Sequence, residues 1–291
     1  MTPAVLAEFL LNGLVLGALY VLMALGLSII FGMVGVINFA HGALFTLGAY
    51  AAYQLQGALG FSGALVAAPV AVGLLGMLIE ATLLRRLYLQ DPLQGLLLTF
   101  GLAMVLEQGI RLVWGLSPKQ FDVPAGFAGV VQLGTLTYSK YRSFILLSVV
   151  LLIAGLALFL QKTPVGMIVR AGSRDPMMVR LLGISLTPVL TLVFGLGTAF
   201  AALAGVLSAP LAGVQPAMGV NVGTAAFVVV TIGGLGSLPG AIISGLLVGQ
   251  VVSLSIYFQP RVAEASMYVL MAVILLLRPR GLMGERWEKF D

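Results

Sequence analysis

Long apolar runs alternate with short polar segments along the 291 residues of the chain. Because about 20 apolar residues are enough to cross the hydrocarbon core of a bilayer, most of these runs are predicted to be transmembrane helices. The pattern predicts an all-α, polytopic membrane protein with about eight or nine transmembrane segments, some of them discontinuous at glycine-rich breaks. The runs fall at roughly 9–31, 42–56, 63–84, 95–114, 143–161, 187–210, 222–236, 241–258 and 262–277.

The charged residues are distributed unevenly, which strengthens the membrane assignment. They make up 9% of the chain, whereas soluble domains carry roughly a quarter. None occurs between Glu8 and Glu80, or between Arg180 and Arg261. Hydrophobic residues make up 60%, and the mean hydropathy is +1.12. No basic segment precedes the first apolar run, so that run is expected to stay as a membrane helix.

Most of the basic residues cluster in alternate loops, and this predicts the orientation of the chain. Because basic loops face the cytoplasm, we expect the single transmembrane domain, 1–291, to have a cytoplasmic loop at about 162–186 and a cytoplasmic tail at about 278–291. The N-terminus and an outer loop at about 115–142 then face the other side, and FAGVVQLGTLTY in that loop predicts a short β-hairpin. The clustered basic residues are Arg85, Arg86, Lys162, Arg170, Arg174, Arg180, Arg278, Arg280, Arg286 and Lys289.

The residue inventory excludes several kinds of chemistry. The chain has no cysteine and one histidine, which excludes disulfides, thiol chemistry and a histidine-cluster metal site. It has no Walker-type phosphate loop, and aspartate occurs only in loops and at the C-terminus. We therefore expect no bound metal, no bound cofactor and no enzymatic activity. The net charge of +5 fits basic loops beside membrane lipid rather than a nucleic-acid partner.

The stretch GMVGVINFAHG places polar residues and glycines between two apolar runs. Backbone that leaves the helix at membrane depth is tolerated only inside the protein or beside a water-filled cavity. Gly32, Gly35 and Gly42 permit close approach or left-handed dihedrals, and Asn38 and His41 can satisfy hydrogen bonds that the break frees. Two roles stay open for these two side chains. They line a permeation path, or they only hold the broken helix together.

A second stretch, IGGLGSLPG, has the same order of parts: an apolar run, a glycine-rich break and a helix with small residues. Its candidate hinge residues are Gly233, Gly234, Gly236, Pro239 and Gly240. The apolar runs at 42–56 and 222–236 are too short to span a bilayer of about 30 Å, since about 15 residues cover only ~22 Å. Short segments beside such breaks indicate discontinuous helices near a transport pathway, and the two stretches suggest an internal repeat.

The predicted cytoplasmic loop contains a short helix. Ser173 or Asp175 can cap it, Pro176 suits its first position, and Gly183 suits the position after its end. The helix presents the apolar side chains of Met177, Met178, Leu181 and Leu182, flanked by Arg170, Arg174 and Arg180. Exposed apolar residues ringed by charge indicate a protein contact. The alternative is an amphipathic segment that lies on acidic lipid headgroups.

Four ionisable residues lie within or at the ends of the apolar runs: Glu80, Glu107, Arg111 and Glu264. An ion-coupled secondary transporter would use such a group inside the membrane. Glu107 and Arg111 are four residues apart, so we predict a structural ion pair on one helix face. Glu80 lies shortly before Arg85, and Glu264 lies shortly after Arg261. Both glutamates are therefore expected at the membrane–water interface. The sequence therefore favours an ion-coupled transporter only as an alternative.

The chain resembles the LivH-type permease family, the membrane subunits of ABC importers for branched-chain amino acids. The resemblance begins with NGLVLGALYVLMALGLSIIFGMVGVINFAHGALFTLGAY, in which NFAHG is the specific part. It continues through GMIVRAGSRDPMMVRLLGI, GGLGSLPGAIISGLLVG and LRPRGLMG, and so covers nearly the whole chain.

The resemblance implies one half of a translocation pathway in the bacterial inner membrane. It implies a second permease of LivM type, two cytoplasmic ATPase subunits that use the ATP, and a periplasmic substrate-binding protein. The short helix resembles the family's coupling helix, which fits a cleft on the ATPase; the matching residues are Arg170, Ser173, Arg174, Asp175, Pro176, Met177, Met178, Arg180, Leu181 and Gly183. Members of the family transport branched-chain or other amino acids, urea, amides or small carboxylates, so the substrate stays open.

Overall fold

The computed structural model describes residues 3–88, 90–133 and 136–284. Over these residues the α-helices are α1 Pro3–Val34, α2 His41–Thr82, α3 Pro92–Trp114, α4 Lys140–Lys162, α5 Pro164–Arg174, α6 Pro176–Leu181, α7 Thr187–Ala212, α8 Met218–Gly233, α9 Leu238–Phe258 and α10 Ala263–Leu277. Short 3₁₀-helices lie at Leu84–Leu87, Ala125–Phe127 and Pro260–Val262. Seven helical segments of this part of the chain are long and apolar enough to cross a membrane, and α8 is a shorter apolar helix. The prediction of an all-α polytopic membrane protein is confirmed.

The predicted hairpin is also confirmed. Strands β1 (Val130–Leu133) and β2 (Leu136–Ser139) pair antiparallel, with Val130 opposite Ser139. The loop is tied to the segment after α7 by a second pair of backbone hydrogen bonds between Lys119 and Val214 (2.8 and 2.9 Å).

Four helices begin with the same local signal, a capping side chain followed within two residues by proline. Asp91, Thr163, Asp175 and Ser237 each accept a hydrogen bond from an amide in the first turn of α3, α5, α6 and α9, respectively. A capping oxygen satisfies an amide that has no partner within the helix, and proline lacks the amide that the first turn would leave unpaired. These short signals therefore fix where the four helices start.

The α2 segment consists of two arms that reverse direction at Gly60, whose φ of +67° is left-handed. Gly48 on the first arm packs against Ala202 of α7, while a Cβ on Gly73 of the second arm would lie 3.2 Å from that of Ala199. A straight helix would separate Gly48 from Gly73 by about 37 Å, yet their partners are less than one turn apart. The chain must therefore turn back.

This reversal changes one sequence-based prediction. The run at 42–56 is not a short helix, because the first arm continues to Gly60. Phe61, at the start of the second arm, packs in T-shaped geometry against Phe127, Tyr141 and Phe144 (ring centroids 6.2–6.4 Å apart), which holds the turn in place. The α2 segment, which is one of the seven apolar segments among the described residues, thus consists of two helical arms.

Contacts between distant segments define the two ends of the helix bundle. At the hairpin end, Tyr138 of β2 donates a hydrogen bond to the carbonyl oxygen of Leu11 in α1 (3.3 Å). Phe9 of α1 packs there against Tyr257 of α9, with ring centroids 5.1 Å apart. The hairpin, the first turns of α1 and the end of α9 therefore lie together.

The opposite end, here called the α6 end, gathers the short helices and the two breaks. Val179 of α6 is buried in one cluster with Met33 at the end of α1 and Tyr88 after α2. Gly234 is in backbone contact with Gly284, so the described part of the C-terminal segment also lies here. Arg286 and Lys289 lie outside the described residues. That the α6 end faces the cytoplasm stays a prediction.

Helix α1 is the central helix of the bundle. Gly26 packs against the carbonyl of Gly197 on α7, and a Cβ on Gly17 would lie 3.0 Å from the Cα of Leu246 on α9. Small residues at such contacts let helix backbones approach closely. The middle of α1 around Leu22 is almost fully buried, whereas Gly35, where the break begins at the α6 end, is exposed.

Candidate functional site

The first break is shorter than the sequence predicts. Helix α1 continues through Gly32 to Val34, and α2 begins at His41, so only residues 35–40 leave the helix. Gly35 ends α1 with a left-handed φ of +72° and donates a hydrogen bond to the carbonyl of Phe31 (2.8 Å). The prediction of a break across 32–42 is therefore wrong at both ends, because Gly32 and Gly42 serve helix packing instead.

The two polar residues of the break are both buried. Asn38 is 3% exposed and His41 is 2% exposed. The Oδ1 atom of Asn38 accepts a hydrogen bond from the amide of Ala40 (3.1 Å), and Nε2 of His41 lies 3.1 Å from the carbonyl oxygen of Met23. A carbonyl can only accept, so Nε2 carries the proton. Both residues thus hold the break against α1 and against its own backbone.

Each polar residue also keeps one atom without a partner. The Nδ2 atom of Asn38 and the Nδ1 atom of His41 are buried and make no hydrogen bond with any described residue. A buried donor or acceptor without a partner costs about 1–3 kcal/mol. The break therefore retains unused hydrogen-bonding capacity that structure alone does not require.

Helix α8 lies directly against the start of α2. The backbones of Gly42 and Gly219 are in contact, and a Cβ on either residue would overlap the carbonyl of the other. A Cβ on Gly223, one turn further along α8, would lie 3.1 Å from the Cα of Gly42. Gly42 is therefore the point at which the first break meets α8.

A cavity of about 440 Å³ lies beside the break, between the first arm of α2, α3 and α8. Sites for small molecules typically have about 300–1,000 Å³. Its walls are mainly apolar, and its polar lining comes from Asn38, His41, Thr46, Glu107 and Thr224. The cavity thus brings Asn38, His41 and Gly42 together with residues of two further helices.

The predicted ion pair between Glu107 and Arg111 is confirmed, and Glu107 lines the cavity. Glu80 behaves differently. Its side chain is completely buried at the α6 end, where it accepts hydrogen bonds from Arg85 (3.0 Å), Tyr88 (2.9 Å) and Thr191 (2.7 Å). Glu80 therefore fastens the second arm of α2 to α7, and it lies away from the cavity.

The second break is confined to residues 234–237. Gly233 ends α8, and Pro239 and Gly240 already belong to the first turn of α9. The amides of Leu282 and Met283 donate hydrogen bonds to the carbonyls of Ile232 and Gly233 (2.8 and 3.0 Å), so the C-terminal segment satisfies the end of α8. This break is packed, and it does not line the cavity.

The end of α1 nevertheless touches the second break at the α6 end. A Cβ on Gly236 would lie 3.3 Å from the Cα of Gly32, and a Cβ on Gly32 would lie 3.6 Å from the carbonyl oxygen of Gly236. Gly32 is thus a contact residue between α1 and the second break.

The predicted short helix is present as α6, and it follows a second helix, α5, that the sequence did not predict separately. Of the two candidate caps, Asp175 makes the bond, accepting from the amide of Met178 (2.8 Å). Ser173 instead donates to the carbonyl of Arg170 (3.0 Å), and Gly183 follows α6 with a left-handed φ of +78°.

Helix α6 has one exposed face and one buried face. Met177, Met178, Leu181 and Leu182 are 53–72% exposed, whereas Val179 is 4% exposed. Arg170, Arg174 and Arg180, which flank this patch, are also exposed, as are Asp175 and Pro176. The sequence predicted exposed apolar side chains with charged residues around them. The structure has this arrangement at the α6 end.

Sequence reasoning missed several residues of the site. Phe39 and Phe227 stack across the opening of the cavity (centroids 6.1 Å apart), and Thr46 and Thr224 line it. Only Phe39 belongs to a glycine-rich stretch, and the proximity of the four residues arises only from the packing of α2 and the first break against α8. The one signal in the sequence for these residues was the position of Phe39 within NFAHG, next to Asn38.

The fold and the site define a multi-pass membrane protein with a polar break and a cavity between its helices. A family model described as branched-chain amino acid transport system, permease component, matches residues 9–277. The chain belongs to this family of transport permeases.

Individual curated relatives of the chain are also permease proteins of branched-chain amino acid transport systems. The chain is 31% identical to the high-affinity branched-chain amino acid transport system permease protein LivH of Escherichia coli, over 94% of each chain. It is 31% identical to BraD of Pseudomonas aeruginosa, also over 94% of each. It is 28% identical to LivM of Salmonella typhimurium, over 91% of this chain and 68% of LivM. No solved structure shows a significant match.

Proposed function

We propose that this chain is a permease subunit of an ABC importer, in which it forms half of the translocation pathway for branched-chain amino acids. The substrate class follows the names of its relatives, LivH and BraD, which are permease proteins of branched-chain amino acid transport systems. The cavity beside the first break gives a place for the pathway, because its walls are mainly apolar and its few polar lining residues include Asn38 and His41.

The observation that carries the proposal is the two-faced packing of α6. Its exposed face offers Met177 and Leu181 (72% and 71% exposed) to a partner. Its buried residue Val179 belongs to one apolar cluster with Leu186 and Leu190, and Met33, two residues before the break begins, packs against that cluster. Gly172 of α5 would place a Cβ 3.2 Å from the Met33 side chain. A partner that moves α6 would therefore move the end of α1 and, through it, the break.

In this proposal the partners supply what the chain lacks. Two ATPase subunits hold the ATP and dock on α6 at the cytoplasmic side, and a periplasmic binding protein delivers substrate to the hairpin end. A second permease of LivM type completes the pathway, and the 28% identity between this chain and LivM fits a pair built from homologous subunits. The complex lies in the bacterial inner membrane.

Co-expression with the neighbouring permease and ATPase genes tests the assembly. We expect one copy of this chain to co-purify with one second permease and two ATPases, and the reconstituted complex to import leucine at the expense of ATP. The chain alone in liposomes with an ion gradient is the control. Uptake by the chain alone would contradict the proposal.

Single cysteines test the orientation, because the chain has no cysteine of its own. Ser173→Cys at the α6 end is expected to resist an impermeant thiol reagent applied to intact spheroplasts, and Ser139→Cys at the hairpin end is expected to react. The reverse labelling pattern would place the α6 end outside, where no ATPase could reach it.

A further inference from the structure

We propose that the cavity beside the first break binds the charged head group of an apolar α-amino acid directly. The substrate carboxylate would lie at Asn38 and the N-terminus of α2, and the substrate ammonium group would lie at Glu107. This inference rests on the proposed function and deepens it, because it derives the substrate class from groups of this chain.

The N-terminus of α2 has first-turn amides that no side chain caps. No side chain caps it at Ala40. The amides of Gly42 and Ala43, which both line the cavity, donate no hydrogen bond to any group that the structure describes. The first-turn amides and the dipole of a helix favour a negative charge at this position. A carboxylate in the cavity would supply the missing acceptor.

Asn38 is a second and independent sign of a ligand. Its Oδ1 atom is committed to the amide of Ala40, which fixes the orientation of the side-chain amide. Its Nδ2 atom is buried beside the cavity and has no acceptor in the described part of the chain. A side-chain amide whose donor has no partner complements a carboxylate and offers nothing to a cation.

Glu107 gives the cavity its opposite charge. One carboxylate oxygen pairs with Arg111, and the other makes no hydrogen bond among the described residues. An anion in this position attracts an ammonium group and repels the second carboxylate of a dicarboxylic acid. The two halves of the site thus match a zwitterion.

The remaining walls suit an aliphatic side chain. Leu27, Ile37, Phe100, Met104 and Phe227 line the cavity, and they provide no hydrogen-bonding group from their side chains. Burial of apolar surface is favourable, so a side chain such as that of leucine gains by entering. The expected ligand is therefore an α-amino acid with a medium-sized apolar side chain.

Protection of a cysteine in the cavity tests the inference on the assembled importer. Thr224→Cys places an exposed thiol on the cavity wall, and Ser62→Cys, far along α2, is the matched control. We expect millimolar leucine to slow alkylation of Thr224→Cys at least fivefold and to leave Ser62→Cys unchanged. Leucinamide, which lacks the carboxylate, and 4-methylpentanoate, which lacks the ammonium group, are expected to give less than half of that protection. Equal protection by all three compounds would overturn the inference.

Glu107→Gln in the Thr224→Cys background tests the ammonium half. Glutamine keeps the size of the side chain and an acceptor for Arg111, but it removes the charge. We expect protection by leucine to be lost, whereas Glu264→Gln at the start of α10 keeps it. Full protection with Glu107→Gln would overturn the role of Glu107. If that variant fails to assemble, the comparison of the three compounds on Thr224→Cys alone decides.

Uptake by the same preparations separates the two proposals. ATP-driven leucine uptake without charge-selective protection would overturn the binding site and leave the importer intact. Charge-selective protection without any ATP-driven uptake would support the site and contradict the proposed function.

Discussion

His41, the first residue of α2, donates a hydrogen bond through Nε2 to the carbonyl oxygen of Met23 in the middle of α1 (3.1 Å). The two residues are 18 positions apart, so this bond joins the helix that leads into the break to the helix that leaves it. Because Met23 lies about three turns before the end of α1, the chain must double back along α1 to form it. The break therefore brings the chain back from the α6 end toward the middle of the bundle.

His41→Ala is expected to lower the stability of the folded complex by about 1–3 kcal/mol, because it removes a buried hydrogen bond. His41→Gln, whose amide can also donate to a carbonyl, is expected to recover part of this loss. Thermal unfolding of the purified complex measures both. Wild-type unfolding of His41→Ala together with lost uptake would instead make His41 a residue of the pathway wall, the other role that the sequence left open.

Gly42→Ala is expected to reduce the amount of folded complex severely, because the new methyl group overlaps the carbonyl of Gly219. Overpacking of a buried contact costs about 1–3 kcal/mol or more. Gly101→Ala on α3 is the matched control, since a Cβ there meets nothing within 4 Å. Membrane abundance by immunoblot and size-exclusion profile measures the effect. Equal abundance of the two variants would show that α8 separates from α2 easily.

Helix α6 offers a pair of variants that separates docking from folding. Leu181→Ser, on the exposed face, is expected to reduce the co-purified ATPase several-fold at normal permease abundance. Val179→Ser, on the face that packs with Met33, is expected to reduce the abundance itself. Quantification of both subunits from one preparation measures the two effects. Full ATPase recovery with Leu181→Ser would contradict docking at this face.

A disulfide between α1 and α5 tests whether α5, which leads directly into α6, moves together with the end of α1. A Cβ on Gly32 would lie 3.9 Å from that of Ser173, close to the mean of about 3.8 Å in disulfides. Gly32→Cys with Ser173→Cys is expected to cross-link on oxidation, and Gly101→Cys with Ser173→Cys is not. Uptake is expected to survive the cross-link, because both residues belong to one moving body. Loss of uptake that reductant restores would place the hinge between them.

Local signals predicted some parts of this structure well. The cap and proline at Asp175 and Pro176 define the start of α6 by their own hydrogen bond, and Glu107 meets Arg111 because residues four apart share a helix face. Such signals act over a few residues and can be read directly from the sequence.

Other parts depend on contacts that no local pattern encodes. Gly32 and Gly42 look like breakers in the sequence, but both lie in helices, where they allow backbone contact with Gly236 and Gly219. A glycine that permits a turn and a glycine that permits close packing are identical in the sequence. The cavity shares this origin, because its walls come from four separate helices, α1, α2, α3 and α8.

The most direct test of the account is leucine uptake by the assembled importer with Asn38→Asp. Aspartate keeps the acceptor for the Ala40 amide, removes the donor that has no partner, and adds a negative charge to the cavity. A hydrogen bond to a charged group is worth about 1.5–3 kcal/mol, and 1.4 kcal/mol is about tenfold, so uptake is expected to fall at least tenfold. The membrane abundance and the co-purified ATPase are expected to stay normal. Wild-type uptake by Asn38→Asp at equal abundance would contradict the claim that substrate passes the first break.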